Sequence, residues 1–323
     1  MPVRLGFIGC GNAAALHWDA LASVEDARPV AFCDGDGPRA AAAARRFGGQ
    51  AYATPVAMFA RETLDAVYVC LPPGAHGDAE LLTARAGCAL FAEVPLSHTL
   101  KAAEKVATAL DNAKVVATVG YQWRYSDAVT RLQKLLSARG AASPHLLAAH
   151  WQGVYARNAD DRRAPVASNL VVEQGTHLCD LLRLLGGDVR RVTAIGAKPA
   201  LRRKEDVHAP DAVGALLEFA SGAVGSLTMT GAPGGVCEER VALSAADTLY
   251  ELSAQSLTLR TPEETRTFPT QSEARVELNR AFIHAVKTGR RSGLKCPYGE
   301  ALKTLRLTLA IQHAAKSGKP VMV

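Results

Sequence analysis

Hydrophobic and polar positions alternate between two periods over the first 120 residues. Short apolar runs at 3–8, 28–33, 65–71, 88–92 and 114–118 predict strands. The stretches between them, 12–23, 37–48, 74–86 and 98–111, carry helical periodicity. Strand and helix in strict alternation imply a parallel sheet with helices on both faces. The run "DAVYVCLP" is apolar throughout, as a fully buried parallel strand requires. Pro72, Pro73 and Gly74 end it and begin a loop at the carboxyl edge of the sheet, where ligands bind in such folds.

The pattern changes after about residue 123. A helix is predicted over 125–139, a strand over 145–152 and a second helix over about 170–185, stopped by Gly186 and Gly187. Strand signals then dominate from 189 to 268, with a hairpin expected around Ser221 and Gly222. Two helices, 274–287 and 298–316, close the chain, with Gly289 and Gly318 as stop signals. The expected architecture is an α/β domain with a doubly wound parallel sheet over 1–122. An α+β domain with a mostly antiparallel open sheet follows over 123–323, and its last strand or helix is free to pack back on the first.

The opening residues "MPVRLGFIGCGNAA" carry the clearest chemistry. A strand meets Gly9 and Gly11 and passes at once into a helix. Gly9 permits the tight turn, Gly11 lets the backbone approach a pyrophosphate, and Ala14 allows close helix–strand packing. The helix N-terminus offers unpaired N–H groups and partial positive charge to the anion. A second apolar run ends in Asp34, 23 residues after Gly11. A carboxylate there accepts hydrogen bonds from ribose hydroxyls and repels a 2′-phosphate, which favours NAD over NADP. Arg39 lies close enough to blur that preference. The plainer alternative is a glycine turn beside an ordinary strand-end aspartate.

Composition excludes several classes. At 323 residues the chain is long enough for two cores. Its net charge of +6 is scattered in short clusters, with no basic stripe interleaved with aromatics, so nucleic acid is not an expected partner. No apolar run approaches a membrane span. Seven cysteines, an odd number with no C-x-x-C, fit a reducing cytoplasm rather than a disulfide framework. No metal-ligand spacing stands out.

Glu173, His177 and Asp180 are spaced i, i+4, i+7, so a continuous helix places them on one face. A carboxylate one turn away can orient an imidazole and raise its proton affinity. That imidazole can take a hydroxyl proton as hydride leaves the same carbon. A polar helix face that merely contains a histidine is the alternative.

The blocks "GFIGCGNAA", "DAVYVCLPPGAH", "FAEVPLSHT" and "EQGTHLCDLLRLLG", with the closing "PYGEALKTLRLTLAIQHAAKSGKPV", resemble the Gfo/Idh/MocA oxidoreductases in order and over nearly the whole chain. The resemblance implies a Rossmann domain binding nicotinamide cofactor. It also implies activity on a hydroxyl-bearing carbon of a sugar, inositol or related polyol; a few members use transient oxidation to break glycosidic bonds. Gly9, Gly11, Asn12 and Ala13 match the pyrophosphate turn and Asp34 the ribose contact. Leu71, Pro72 and His76 match the loop beside the cofactor riboses, Glu93 the acidic residue of an "EKP" block, and Arg124 an arginine of the segment joining the domains. His177 matches the general acid/base. The open sheet face of the second domain is expected to bury itself against another subunit, giving a homodimer or homotetramer.

Three departures stand out. Val94 replaces the lysine of the "EKP" block, removing an ammonium that would bond a sugar hydroxyl and stabilise developing alkoxide charge. Glu173 stands where many members have aspartate, and Ser168-Asn169 where a glycine pair is common. The polar loop "ARNADDRRAPVASN" offers Arg157, Arg162 or Arg163 as substitute cations beside Val94 and Asp180 on the substrate side, or is simply a solvated loop. Two functions therefore stay open: an NAD-dependent oxidoreductase using His177 and another donor, or a cofactor-binding paralogue with weak hydride transfer that acts as a sensor or partner subunit.

Overall fold

The computed structural model describes residues 1–138, 143–153, 170–197, 212–231 and 237–323. The chain forms two compact units, Met1–Tyr125 with Glu273–Leu302, and Ser126–Ser272 with Lys303–Val323. The first opens with β1 (Val3–Ile8), α1 (Asn12–Leu21), β2 (Ala27–Cys33), α2 (Gly37–Phe47), β3 (Gln50–Tyr52) and α3 (Pro55–Arg61). It continues with β4 (Ala66–Val69), α4 (Asp78–Arg85), β5 (Ala89–Ala92), α5 (Leu100–Ala113) and β6 (Ala117–Val119). The six strands are parallel, in the order β3-β2-β1-β4-β5-β6. Every residue of β4 and β5 is buried, the mark of strands covered on both faces.

The second unit contains α6 (Asp127–Ala138), β7 (Leu146–Gln152), α7 (Leu170–Glu173), α8 (Gly175–Gly186), β8 (Val189–Ala197), β9 (Ala212–Phe219) and β10 (Val224–Thr230). β11 (Glu238–Ala245), β12 (Thr248–Ser253), β13 (Ser256–Arg260) and β14 (Thr265–Pro269) follow. The chain ends in α9 (Ala274–Thr288), α10 (Tyr298–Ser317) and β15 (Val321–Met322). The nine-stranded sheet runs β14-β13-β12-β11-β7-β10-β9-β8-β15 and is antiparallel except at the β7–β10 pair. Its strands alternate. Leu147, Ala149 and Trp151 of β7 and Leu227 and Met229 of β10 are buried on the face where α7 and α8 pack. The opposite face carries Thr, Ser and His side chains together with exposed Leu146, Ile195, Leu216 and Val224.

Two sequence expectations change. The helix expected over 170–185 is two helices, α7 and α8, with a turn at Gln174. The boundary expected after residue 122 is not a single cut, because Glu273–Leu302 returns to the first unit. The reason lies in α9. Its Leu278, Phe282 and Ile283 complete the core that Phe7, Trp18, Phe32, Tyr68 and Phe91 begin. Phe282 meets Tyr68 and Phe91 edge-on, with ring centroids 5.5 Å away in each case. β3 and α3 escaped sequence reading: β3 is three residues long and mostly exposed, so it shows no alternation. Thr54 and Pro55 start α3 locally, the Thr54 side chain accepting the Ala57 N–H.

Candidate functional site

The turn from β1 to α1 has the geometry of an anion cradle. Gly9 adopts φ +90°, and a Cβ there would lie 2.3 Å from the Cys70 carbonyl oxygen. Only glycine fits, because the turn must close tightly over the end of β4. Gly11 caps α1 in extended conformation, and a Cβ on it would meet no atom within 4 Å. The protein does not force glycine at 11; the backbone is bared toward open space. α1 has no side-chain cap and no acidic residue in its first turn, so its N–H donors are left for an anion. Asn12 is exposed, Ala13 half-buried, and Ala14 fully buried against the sheet. A dinucleotide pyrophosphate fits this end of the unit.

Asp34 directly follows β2 and braces the turn from the other side. Its Oδ2 accepts the Cys10 N–H at 2.8 Å, and its Oδ1 accepts the Asp36 N–H at 2.8 Å. Each oxygen keeps a lone pair for a ribose hydroxyl. Burial, then the Asp34 charge, pushes the Cys10 thiol up to about 12, so it stays protonated beside the cradle. Arg39 leans on Asp36 at 3.5 Å.

His76 lies in the loop after β4, bonded within the protein. Its side chain is fully buried, with Nδ1 2.5 Å from Glu80 Oε1 and Nε2 2.8 Å from the Leu71 carbonyl. The Leu71 carbonyl only accepts, so Nε2 carries a proton, and an ionised Glu80 favours a second proton on Nδ1. Glu80 Oε2 accepts the Gly77 N–H at 2.7 Å. Burial opposes charge on both residues, but the bond between them outweighs it. The histidine is raised above its ordinary value and the glutamate lowered below its own. His76 therefore shapes the loop that presents half-buried Leu71 and exposed Pro72.

Glu93 sits at the end of β5 in a polar network. His17 Nε2 lies 2.6 Å from its Oε1, and the Val94 N–H reaches its Oε2 at 3.2 Å. His17 Nδ1 meets the side chain of Asn279 on α9, whose Oδ1 accepts the Tyr68 hydroxyl at 2.8 Å. Gly120 leaves room for the carboxylate, since a Cβ there would lie 2.5 Å from Glu93 Oε1. Val94 is half-buried beside it. Arg124 is 4% exposed and donates to the Lys295 carbonyl at 2.8 Å, with Glu300 at 3.5 Å, which anchors it within the first unit.

The remaining candidates lie in the second unit. Glu173 ends α7, and His177 stands in the first turn of α8; both are half-buried. Between them Gln174 makes a turn with right-handed helical torsions, φ −99° and ψ −42°. Asp180 is 1% exposed and accepts the Thr304 hydroxyl at 3.2 Å, while Arg183 Nη1 donates to the same hydroxyl oxygen at 2.9 Å. Asp180 therefore ties α8 to α10. Arg157, Arg162, Arg163, Ser168 and Asn169 lie outside the described residues.

Sequence reading missed His17, Tyr68, Glu80, Gly120 and Asn279. The available signal was a polar residue on an apolar stripe: His17 among Ala14, Trp18 and Leu21, and Asn279 among Val276, Phe282 and Ile283. Among the described residues no group of three or more His, Cys, Asp or Glu side chains offers a metal site, and no helix is long and apolar enough to cross a membrane.

Residues 3–121 match the family described as "Oxidoreductase family, NAD-binding Rossmann fold", and residues 129–243 match the "GFO/IDH/MocA C-terminal domain". The chain belongs to the Gfo/Idh/MocA oxidoreductase family. It is 31% identical over 194 residues to D-apiose dehydrogenase of Paraburkholderia graminis, covering 58% of this chain and 50% of that enzyme. It is 27% identical over 228 residues to inositol 2-dehydrogenase of Rhizobium meliloti, covering 69% of this chain and 67% of that enzyme. An Agrobacterium radiobacter oxidoreductase solved with NAD+, L-tartaric acid and magnesium shares the fold, with TM-score 0.86, 19% identity, and 100% and 98% of the two chains covered.

The His76–Glu80 pair generates a pH prediction. Glu80 is lowered from 4.5, so its contribution to stability is present above that value and is lost as pH falls through the lowered one. His76 is raised from 6.5, so its contribution is complete below that value and is lost as pH rises through the raised one. The melting-temperature advantage of the native protein over a His76→Gln/Glu80→Gln variant is expected to peak between 4.5 and 6.5 and fall on either side. A flat difference over roughly pH 4–9 contradicts the pairing. Glu80→Gln alone, which strands the imidazolium, is expected to cost about 3–5 kcal/mol within that window by chemical denaturation.

Proposed function

We propose that the protein is an NAD-dependent oxidoreductase that moves a hydride between nicotinamide and a hydroxyl-bearing carbon of a sugar, polyol or related small molecule. The cradle carries this reading: the uncapped α1, the bared Gly11, Gly9 closed on Cys70, and Asp34 at the ribose position. The two curated relatives, which by name act on apiose and inositol, support the substrate class.

Gly9, Gly11, Asn12 and Ala13 would hold the pyrophosphate and Asp34 the adenosine ribose, with Leu71 and Pro72 alongside. Bound nicotinamide supplies the hydride acceptor or donor. In the oxidation direction, an imidazole nitrogen of His177 takes the substrate hydroxyl proton, and Glu173, four residues earlier, orients the ring. Asp34 favours NAD, since its carboxylate faces a 2′-phosphate with like charge. The second reading, a cofactor-binding paralogue with weak turnover, rests on half-buried Val94 in place of the family lysine. We place the protein in the cytoplasm, where its free thiols, six of the seven buried, stay reduced. The sheet face bearing Leu146, Ile195, Leu216 and Val224 is the surface we assign to a homodimer or homotetramer.

NADH is expected to bind more tightly than NADPH by fluorescence titration, and Asp34→Ala to narrow the gap. Equal affinities in the native protein would refute the role of Asp34. Absorbance at the NADH band with a polyol and sugar panel tests turnover itself. His177→Ala is expected to lose about 10²–10⁴ in kcat with NAD affinity unchanged; unchanged turnover sinks the assignment. Val94→Lys separates the two functions. A gain in hydride transfer identifies a degraded site, whereas a loss of native activity identifies a site rebuilt around an apolar group. For assembly, light scattering at micromolar concentration should give a mass above the monomer, and Leu216→Glu should lower it; a strictly monomeric native protein refutes the interface.

A further inference from the structure

We propose that Glu239, on β11 of the second unit, is a specificity-determining residue that selects neutral polyhydroxy substrates over carboxylated ones; this rests on the oxidoreductase reading above and narrows its substrate class. Strand alternation places Glu239 on the same face as buried Val241 and Leu243, the face on which α8 packs. The register sets it directly opposite Trp151 of β7, which is in turn opposite Met229 of β10. The three side chains therefore form one row across the sheet. The same row meets the start of α8: a Cβ on Gly175, two residues before His177, would lie 2.7 Å from Met229 Sδ.

An apolar residue would suit that row. Glutamate instead stands there half-buried, and among the described residues its carboxyl has no hydrogen-bond or ion-pair partner. Arg240 does not compensate it. Alternation turns Arg240 to the opposite face, where it pairs with Glu238 at 3.3 Å. Burial pushes the Glu239 carboxyl up to about 7. An uncompensated, partly desolvated carboxyl weakens a fold, so packing does not account for it. A ligand rich in hydroxyls does: each O–H donates to the carboxylate without adding charge. An anionic group brought beside it meets repulsion that low local dielectric strengthens.

D-glucose and D-glucuronate differ in carrying an alcohol or a carboxylate at one carbon, and so probe the charge alone. Isothermal titration of each into NADH-saturated protein at about pH 8 keeps Glu239 mostly ionised. Native protein is expected to bind glucuronate at least about tenfold more weakly than glucose. Glu239→Gln is expected to close most of that gap by gaining glucuronate affinity, with NADH affinity unchanged. An unaltered ratio in Glu239→Gln, native binding of glucuronate as tight as glucose, or binding of neither sugar to either protein overturns the assignment. The NADH titration that precedes each run separates the two levels. If NADH binds and the ratio does not move, the specificity role alone falls; if NADH does not bind, the oxidoreductase reading falls and the specificity role falls with it.

Discussion

The closure of one turn governs the first unit. The chain leaving β1 must pass within van der Waals range of the Cys70 carbonyl, and only a residue without Cβ can do so at φ +90°. That contact seats the start of α1 over the sheet, lets Ala14 bury completely, and aims the uncapped end of the helix at open space. Asp34 then locks the turn by accepting the Cys10 N–H. One steric constraint and one charge-assisted hydrogen bond thus build the anion cradle before any ligand arrives.

Polar groups buried around the cradle hold its surroundings in place. His76 bridges Glu80 and the Leu71 carbonyl, so the loop after β4 is pinned by buried polar bonds. Glu93 is reached by His17 from α1 and, through Asn279, by α9 and the Tyr68 hydroxyl. Each of these groups would be costly alone in the core; joined, they fix geometry. The aromatic layer of Phe7, Phe32, Tyr68, Phe91 and Phe282 supplies the apolar setting in which such bonds are strong. In the second unit Asp180, Arg183 and Thr304 serve the same purpose for α8.

Features set by local backbone chemistry were legible in the sequence. Gly9 and Asp34, the hairpin at Gly222 with φ +91°, and the stop at Gly289 all follow from residues within a few positions of one another or from a fixed strand–helix–strand spacing. Features set by distant partners were not. His17 and Asn279 are 262 residues apart, and neither announces the other. His76 matched a family position but gave no sign that Glu80, one turn later, would bury with it and take its charge. The Glu173–His177–Asp180 spacing was read as one helix; it gave no sign of the turn at Gln174 or of the Thr304 hydroxyl, 124 residues away, that Asp180 accepts. A return of the chain's last strand or helix to the first unit was left open, but not that α9 would make it, because its stripe of Leu278, Phe282 and Ile283 says only that it is buried, not against what.

The claim that a nicotinamide dinucleotide lies on the β1–α1 turn is tested most directly by amide hydrogen exchange with and without saturating NADH. The account predicts slowed exchange concentrated at Gly9–Ala15, beside Asp34, and across Leu71–Gly77, with the outer strands of the second unit unchanged. Binding without protection at Gly9–Ala15, or protection centred elsewhere in the chain, would contradict it.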